Sequence, residues 1–124
     1  MEKTATNDTK TPNYQVKNIE PVITGSDVRA RLFTLAPGEV IPWHHHREAA
    51  DYYFILEGEL MISARTPEEA QTLGVGRNYQ IAPGRPHLVA NRSTADCRFL
   101  LLQGVGKFDW VKEDDRAVRD CGGN

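Results

Sequence analysis

Short runs rich in Val, Ile, Leu, Tyr and Phe recur along the middle of the chain, separated by polar stretches that carry Gly and Pro. The runs at 14–19 (YQVKNI), 28–35 (VRARLFTL), 51–58 (DYYFILEG), 59–64 (ELMISA), 78–82 (NYQIA), 87–91 (HLVAN) and 97–105 (CRFLLLQGV) have the length and the branched or aromatic content of strands. The stretches 36–39 (APGE), 65–70 (RTPEEA), 73–76 (LGVG) and 82–86 (APGRP) read as turns. Nowhere within 14–105 do apolar positions keep a helical period. Many short strands at a spacing of roughly ten residues predict an all-β, single-domain antiparallel sandwich or barrel. Trp43, Tyr53, Phe54, Ile55, Ile62, Ile81, Leu88, Phe99 and Leu101 are its candidate core or cavity lining.

Outside this region the pattern changes. Residues 1–13 are polar and read as a flexible arm, leaving 14–108 as the barrel. Residues 109–124 form a charged tail with room for a short helix. The N-terminus lacks the apolar segment of a signal peptide, so the expected compartment is the cytoplasm. No apolar run approaches the roughly 20 residues that span a bilayer. Net charge is -2 and the isoelectric point is about 6.1, which give no electrostatic reason for nucleic acid or an anionic membrane as partner. Cys97 and Cys121 have no zinc-site spacing, and a lone disulfide does not fit a cytosolic chain.

The candidate chemistry lies in WHHHREAAD, residues 43–51. Successive side chains of a strand face opposite sides, so His44 and His46 share one face and His45 points away. Asp51 opens the next strand and can bring a carboxylate beside the pair. The one other histidine, His87, follows a second Pro-Gly turn at the head of a strand. Three imidazoles and one carboxylate suit a borderline divalent transition metal. The residues alone weigh this equally against a solvent-exposed histidine cluster. Glu48 reads as a solvated loop residue, and Asn91 as a turn cap or a partner near the barrel mouth.

The order and spacing of these residues resemble the cupin superfamily. Gly38 to Gly58 is similar to the first cupin motif, G-x5-H-x-H-x3-4-E-x6-G, with His44, His46 and Asp51 at the ligand positions. Gly76 to Asn91 is similar to the second, G-x5-P-x-G-x2-H-x3-N, with Gly84, His87 and Asn91 in place. Two features depart from it. Asp51 stands where the family has glutamate, one methylene shorter, and Ala82 stands where it has proline, with Pro83 displaced by one.

The resemblance implies a small bacterial cupin, a double-stranded β-helix of jelly-roll type. It implies one divalent transition metal per chain (Fe, Mn, Zn or Ni) on His44, His46, Asp51 and His87. Asp51, if only loosely bound, has a second use as general base. The activities it implies are those of a metal-dependent enzyme on a small oxygenated organic molecule: dioxygenase, isomerase, lyase, decarboxylase or cyclase. The alternative is a non-catalytic module that binds a sugar or metabolite. It also implies a homodimer formed through N-terminal strands, with the strand folded back on its own sheet as the alternative.

Overall fold

The computed structural model describes residues 14–114, and the arm expected at 1–13 lies outside them. Ten strands follow in chain order: β1 Asn18–Thr24, β2 Val28–Leu35, β3 Val40–His45, β4 Ala50–Glu57, β5 Leu60–Ala64, β6 Glu69–Leu73, β7 Asn78–Ile81, β8 His87–Ala90, β9 Cys97–Gly104 and β10 Val111–Lys112. They form two five-stranded antiparallel sheets, ordered β1-β2-β9-β4-β7 and β10-β3-β8-β5-β6. This is the all-β double-stranded β-helix that the strand spacing and the motifs predict. Among the described residues no helix is long and apolar enough to cross a membrane.

The core follows from alternation. On β2, β9 and β4 the inward residues pair in rows: Leu35 opposite Cys97, Phe33–Phe99–Ile55, and Leu101–Tyr53. Phe33 and Phe99 stack at 5.1 Å between centroids. Leu60, Ile62, Leu73, Ile81 and Val89 fill the space from neighbouring strands, all nearly free of solvent contact. Phe54 departs from the expected core. It sits on the outer face of β4, between the buried Tyr53 and Ile55, and is 38% exposed. Trp43 and Leu88 are half-buried, Trp43 beneath the Arg65 guanidinium at 4.0 Å.

Three segments differ from the pattern in the sequence. β1 runs over 18–24 instead of 14–19; it is an edge strand, exposed throughout, and Pro21 is accommodated by a register shift before Ile23. β6 occupies part of the expected turns because its residues, EAQTL, bury only Leu73, which leaves no apolar alternation to read. Pairing with β5 satisfies its backbone instead. Of the expected charged tail, Val111 and Lys112 pair with His45 and His44 as β10, and 115–124 lie outside the described residues.

Asn91 is fully buried at the end of β8 opposite His87. Its Nδ2 donates to the carbonyls of Leu35 and Ala95, both at 2.8 Å, and its Oδ1 accepts from the Ser93 backbone and hydroxyl at 2.9 and 2.7 Å. It ties the loop after β8 to the end of β2, as the turn-cap reading expects. Asn91→Ala leaves several buried groups unpaired and should cost about 2–4 kcal/mol. Urea denaturation measures this, with metal content unchanged because the site lies at the other end of β8.

A candidate metal centre at one end of the barrel

Strict alternation from the buried Ile41 would turn residues 43 and 45 inward. The structure inverts this. Between Ile41 and His44 the β3–β8 register shifts by one residue, a bulge at Pro42–Trp43. Ile41 therefore stays inward, and His44 and His46 become inward as well, while His45 faces away. His44 lies directly across from His87 on β8. His46, just past β3, is fixed by its carbonyl, which accepts the Gly84 N–H at 2.7 Å. Gly84 makes that turn at φ +81°, a region open to glycine without strain.

Asp51 arrives from the opposite sheet, on β4. The four side chains, each no more than 5% exposed, present ligand atoms that all lie within 4.8 Å of one another. Imidazole and carboxylate donors bind transition ions at about 2.0–2.2 Å, so the set closes on one ion with a small inward movement. The cluster could hold a metal ion. His45 does not join it: its Nδ1 meets the Glu113 carboxylate at 2.5 Å on the outer side. Glu48 is also elsewhere, accepting the Lys107 backbone N–H at 3.0 Å.

The hydrogen bonds behind the rings decide what they offer. His44 Nδ1 lies 2.7 Å from the Pro42 carbonyl, His46 Nδ1 2.5 Å from that of Asp109, and His87 Nδ1 2.8 Å from that of Arg85. A carbonyl oxygen only accepts, so each Nδ1 carries the proton and donates it. In the neutral rings Nε2 is then a bare lone pair, as a metal ligand requires. Nε2 of His46 and of His87 lie 3.3 and 3.1 Å from Asp51 Oδ2. Lone pairs facing a carboxylate at that distance repel unless a cation sits among them. A proton can serve, and so can a metal ion, which satisfies every donor at once. The residues present fit the ion.

The electrostatics agree. Burial pushes the His44 imidazole well below its ordinary value, helped by His87 and His46. Burial pushes His46 down too, but its contact with Asp51 outweighs this and its pKa is raised. For Asp51 burial acts upward, yet the contacts with His46 and His87, which donate to it when their rings are charged, prevail and hold the carboxyl well below the usual range. Its oxygens are otherwise engaged: Oδ1 accepts from Gln103 Nε2 and Oδ2 from the Tyr53 hydroxyl, both at 2.8 Å. The Tyr53 phenol is pushed well above its ordinary value by its burial and by Asp51.

The cupin-domain family model matches residues 31–115, more than half of the chain. The protein belongs to the cupin family. No curated protein matches the sequence. Among solved structures, the protein TT1209 of Thermus thermophilus is similar at 26% identity, with a TM-score of 0.67 over 78% of this chain and 89% of that one. A conserved protein with a double-stranded β-helix domain from Klebsiella pneumoniae is similar at 20% identity, TM-score 0.66, over 82% of this cupin and 91% of its own chain. An oxalate oxidase structure shares the fold at 15% identity and TM-score 0.63, over 79% of this chain and 57% of that one.

Several residues around the centre escape a reading by motif. Trp110 stacks on the His44 ring at 4.8 Å and 15°. The Asp109 carbonyl orients His46, and Gln103 orients Asp51. Gln103 had one signal: it continues the inward series Cys97, Phe99, Leu101, a polar residue where an apolar one is expected. Asp109 and Trp110 had none, since they fall in a segment with no strand pattern.

Proposed function

We propose that this cupin binds one divalent transition metal per chain through Nε2 of His44, His46 and His87 and a carboxylate oxygen of Asp51. We propose further that the centre acts as an enzyme on a small oxygenated organic molecule. The observation that carries the proposal is the convergence of four buried donors whose ring tautomers are all fixed by backbone carbonyls. A bound ion would supply Lewis acidity, and redox chemistry if it is iron. The chain's own residues orient it: Asp109, Arg85 and Pro42 fix the rings, and Gln103 and Tyr53 fix the carboxylate.

Asp51 serves as ligand in preference to general base. A carboxyl held well below its ordinary pKa is a weak base near neutral pH, and the hydrogen bonds from Tyr53 and Gln103 lower its basicity further while leaving each oxygen a lone pair for the ion. The enzyme reading is favoured over the binding module by the metal cluster and by a neighbour of the same fold, oxalate oxidase. Elemental analysis of protein purified without a nickel column tests the metal. One equivalent of a transition metal per chain supports the proposal. A chain that takes up none, even after reconstitution, removes it.

We propose a homodimer formed across β1. This strand pairs with β2 of its own chain and among the described residues has no neighbour on its outer edge, and it exposes Val22 at 56% and Ile23 at 67%. Light scattering after size exclusion at micromolar concentration should give twice the chain mass of 13.9 kDa. A monomer mass contradicts it.

A further inference from the structure

The inward column of β2 begins with cations. Leu35 and Phe33 fill the core, and alternation continues their series to Arg31 and Arg29. Arg29 shares a cross-strand row with Gln103 and Asp51, so guanidinium, amide and carboxylate lie side by side across three strands. Arg29 Nε donates to Gln103 Oε1 at 2.9 Å, and Arg31 Nη2 donates to the same oxygen at 3.0 Å. The Gln103 amide is thereby oriented: its oxygen faces the arginines, and its Nε2 faces Asp51 at 2.8 Å.

Two cations therefore share one neutral acceptor. Neither has a carboxylate within ion-pair distance among the described residues, and Arg31 Nε is buried with no partner. Asp51 is the nearest carboxylate in the row, but it is committed to the imidazoles, Tyr53 and Gln103. Burial and mutual repulsion push Arg29 down to about 10, and burial also lowers Arg31. Burying a charge is costly unless an opposite charge and hydrogen bonds accompany it. Aromatic faces meet part of that cost, Phe108 at 4.3 Å from Arg29 and Phe33 at 5.0 Å from Arg31, but they supply no acceptor.

A further donor is unused nearby. Trp110, stacked on His44, keeps its buried indole N–H without a partner among the described residues. Tyr14 packs on Trp110 at 5.5 Å and feels both guanidinium charges, so it closes the arc from the arginines back to the histidines. Unpaired donors and two guanidiniums that feel Asp51 only at a distance, gathered one amide's width from the candidate ligands, call for an anion with acceptor oxygens.

We propose that Arg29 and Arg31 are the anion-binding half of the site and that the molecule taken up is a small organic carboxylate. Its carboxylate lies on the guanidiniums, and a second oxygen points toward the metal position. This deepens the metal-centre reading and rests on it for the second contact only. Arg31 has an unpartnered Nε, and Nη2 keeps a second N–H beyond the one given to Gln103, so this edge offers the planar fork that pairs with a carboxylate.

Glycolate, pyruvate and malonate are the probes, with glycolamide as the uncharged counterpart of glycolate. Calorimetry is run on wild type, Arg29→Met and Arg31→Met, and each protein is checked by circular dichroism and by metal-to-protein ratio. Methionine keeps a long apolar stem without the charge. The expected result is binding of at least one carboxylate to wild type, weakened about tenfold or more by Arg31→Met, since that variant removes the charge-assisted pair. Glycolamide should bind more weakly than glycolate, and metal content should not change. The proposal is overturned if no carboxylate binds wild type at about 10 mM. It is also overturned if both variants bind as wild type does, if glycolamide matches glycolate, or if the arginine variants lose metal. Arginine-dependent carboxylate binding by a wild type that never takes up metal would instead remove the metal centre and leave the anion site standing.

Discussion

His87→Ala should strip the metal from this cupin, as should His44→Ala and His46→Ala, while His45→Ala leaves metal content at the wild-type level. The contrast follows from the bulge in β3. His44 and His46 turn inward after it, to face His87 and Asp51, and His45 is sent to the outer side against Glu113. Removing a partner that only orients a ligand costs about 10–100-fold in metal affinity, so loss of a ligand itself should cost roughly 100-fold or more. Metal-to-protein ratios and competition titrations read this, with circular dichroism to confirm the fold. A surface cluster would behave differently: the three adjacent histidines would be interchangeable and His87 would not matter. Metal lost from His45→Ala but kept by His46→Ala would reverse the strand facing and the ligand set with it.

Acid should weaken metal binding, and His46 should set where. In the proposed centre a neutral imidazole is the ligand, so protons and metal would compete for it. His44 is held well below its ordinary 6.5 by burial, so it stays neutral as pH falls. His46 is raised above 6.5, since its contact with Asp51 outweighs burial, so in the metal-free protein it is the ring that keeps a proton to higher pH. Asp51 is held well below the usual carboxylate range and stays ionised throughout. The sign is therefore fixed: apparent affinity is highest above the His46 pKa and falls as pH drops through it. One displaced proton gives at most about tenfold per pH unit below that pKa, so affinity should fall about tenfold or more between pH 7.5 and 5.5. Calorimetric titrations at pH 7.5, 6.5 and 5.5 follow it, and a flat profile would contradict imidazole ligation.

How much was legible in the sequence depended on whether a residue's role repeats at fixed spacing. β2, β4 and β9 are dense in Leu, Ile, Tyr and Phe and were readable to within a residue or so. β6 and β1 were not, because edge strands with few buried side chains need no apolar alternation; their pairing comes from backbone hydrogen bonds that any sequence can make. The four candidate ligands were readable from the two histidine-bearing turns, but for an incomplete reason. Alternation within residues 44–46 places them correctly relative to one another, yet their inward direction depends on the bulge at Pro42–Trp43. Gln103, Asp109 and Trp110 act on the site through long-range contact, from positions 52 to 66 residues beyond the ligands they touch. Local pattern carries no trace of such distances. Arg29 and Arg31 lay in view in VRARLFTL, but their inward facing is plain only once Phe33 and Leu35 are seen to lie in the core.

If the elemental analysis finds a bound metal, X-ray absorption at its edge is the most direct test of the proposed centre, because it reads the ligand shell without mutation. Nitrogen and oxygen donors are expected at about 2.0–2.2 Å with the outer-shell scattering of three imidazoles, falling to two in any His44, His46 or His87 variant that retains metal. A shell with no more than one imidazole, or one unchanged by loss of His87, would contradict it.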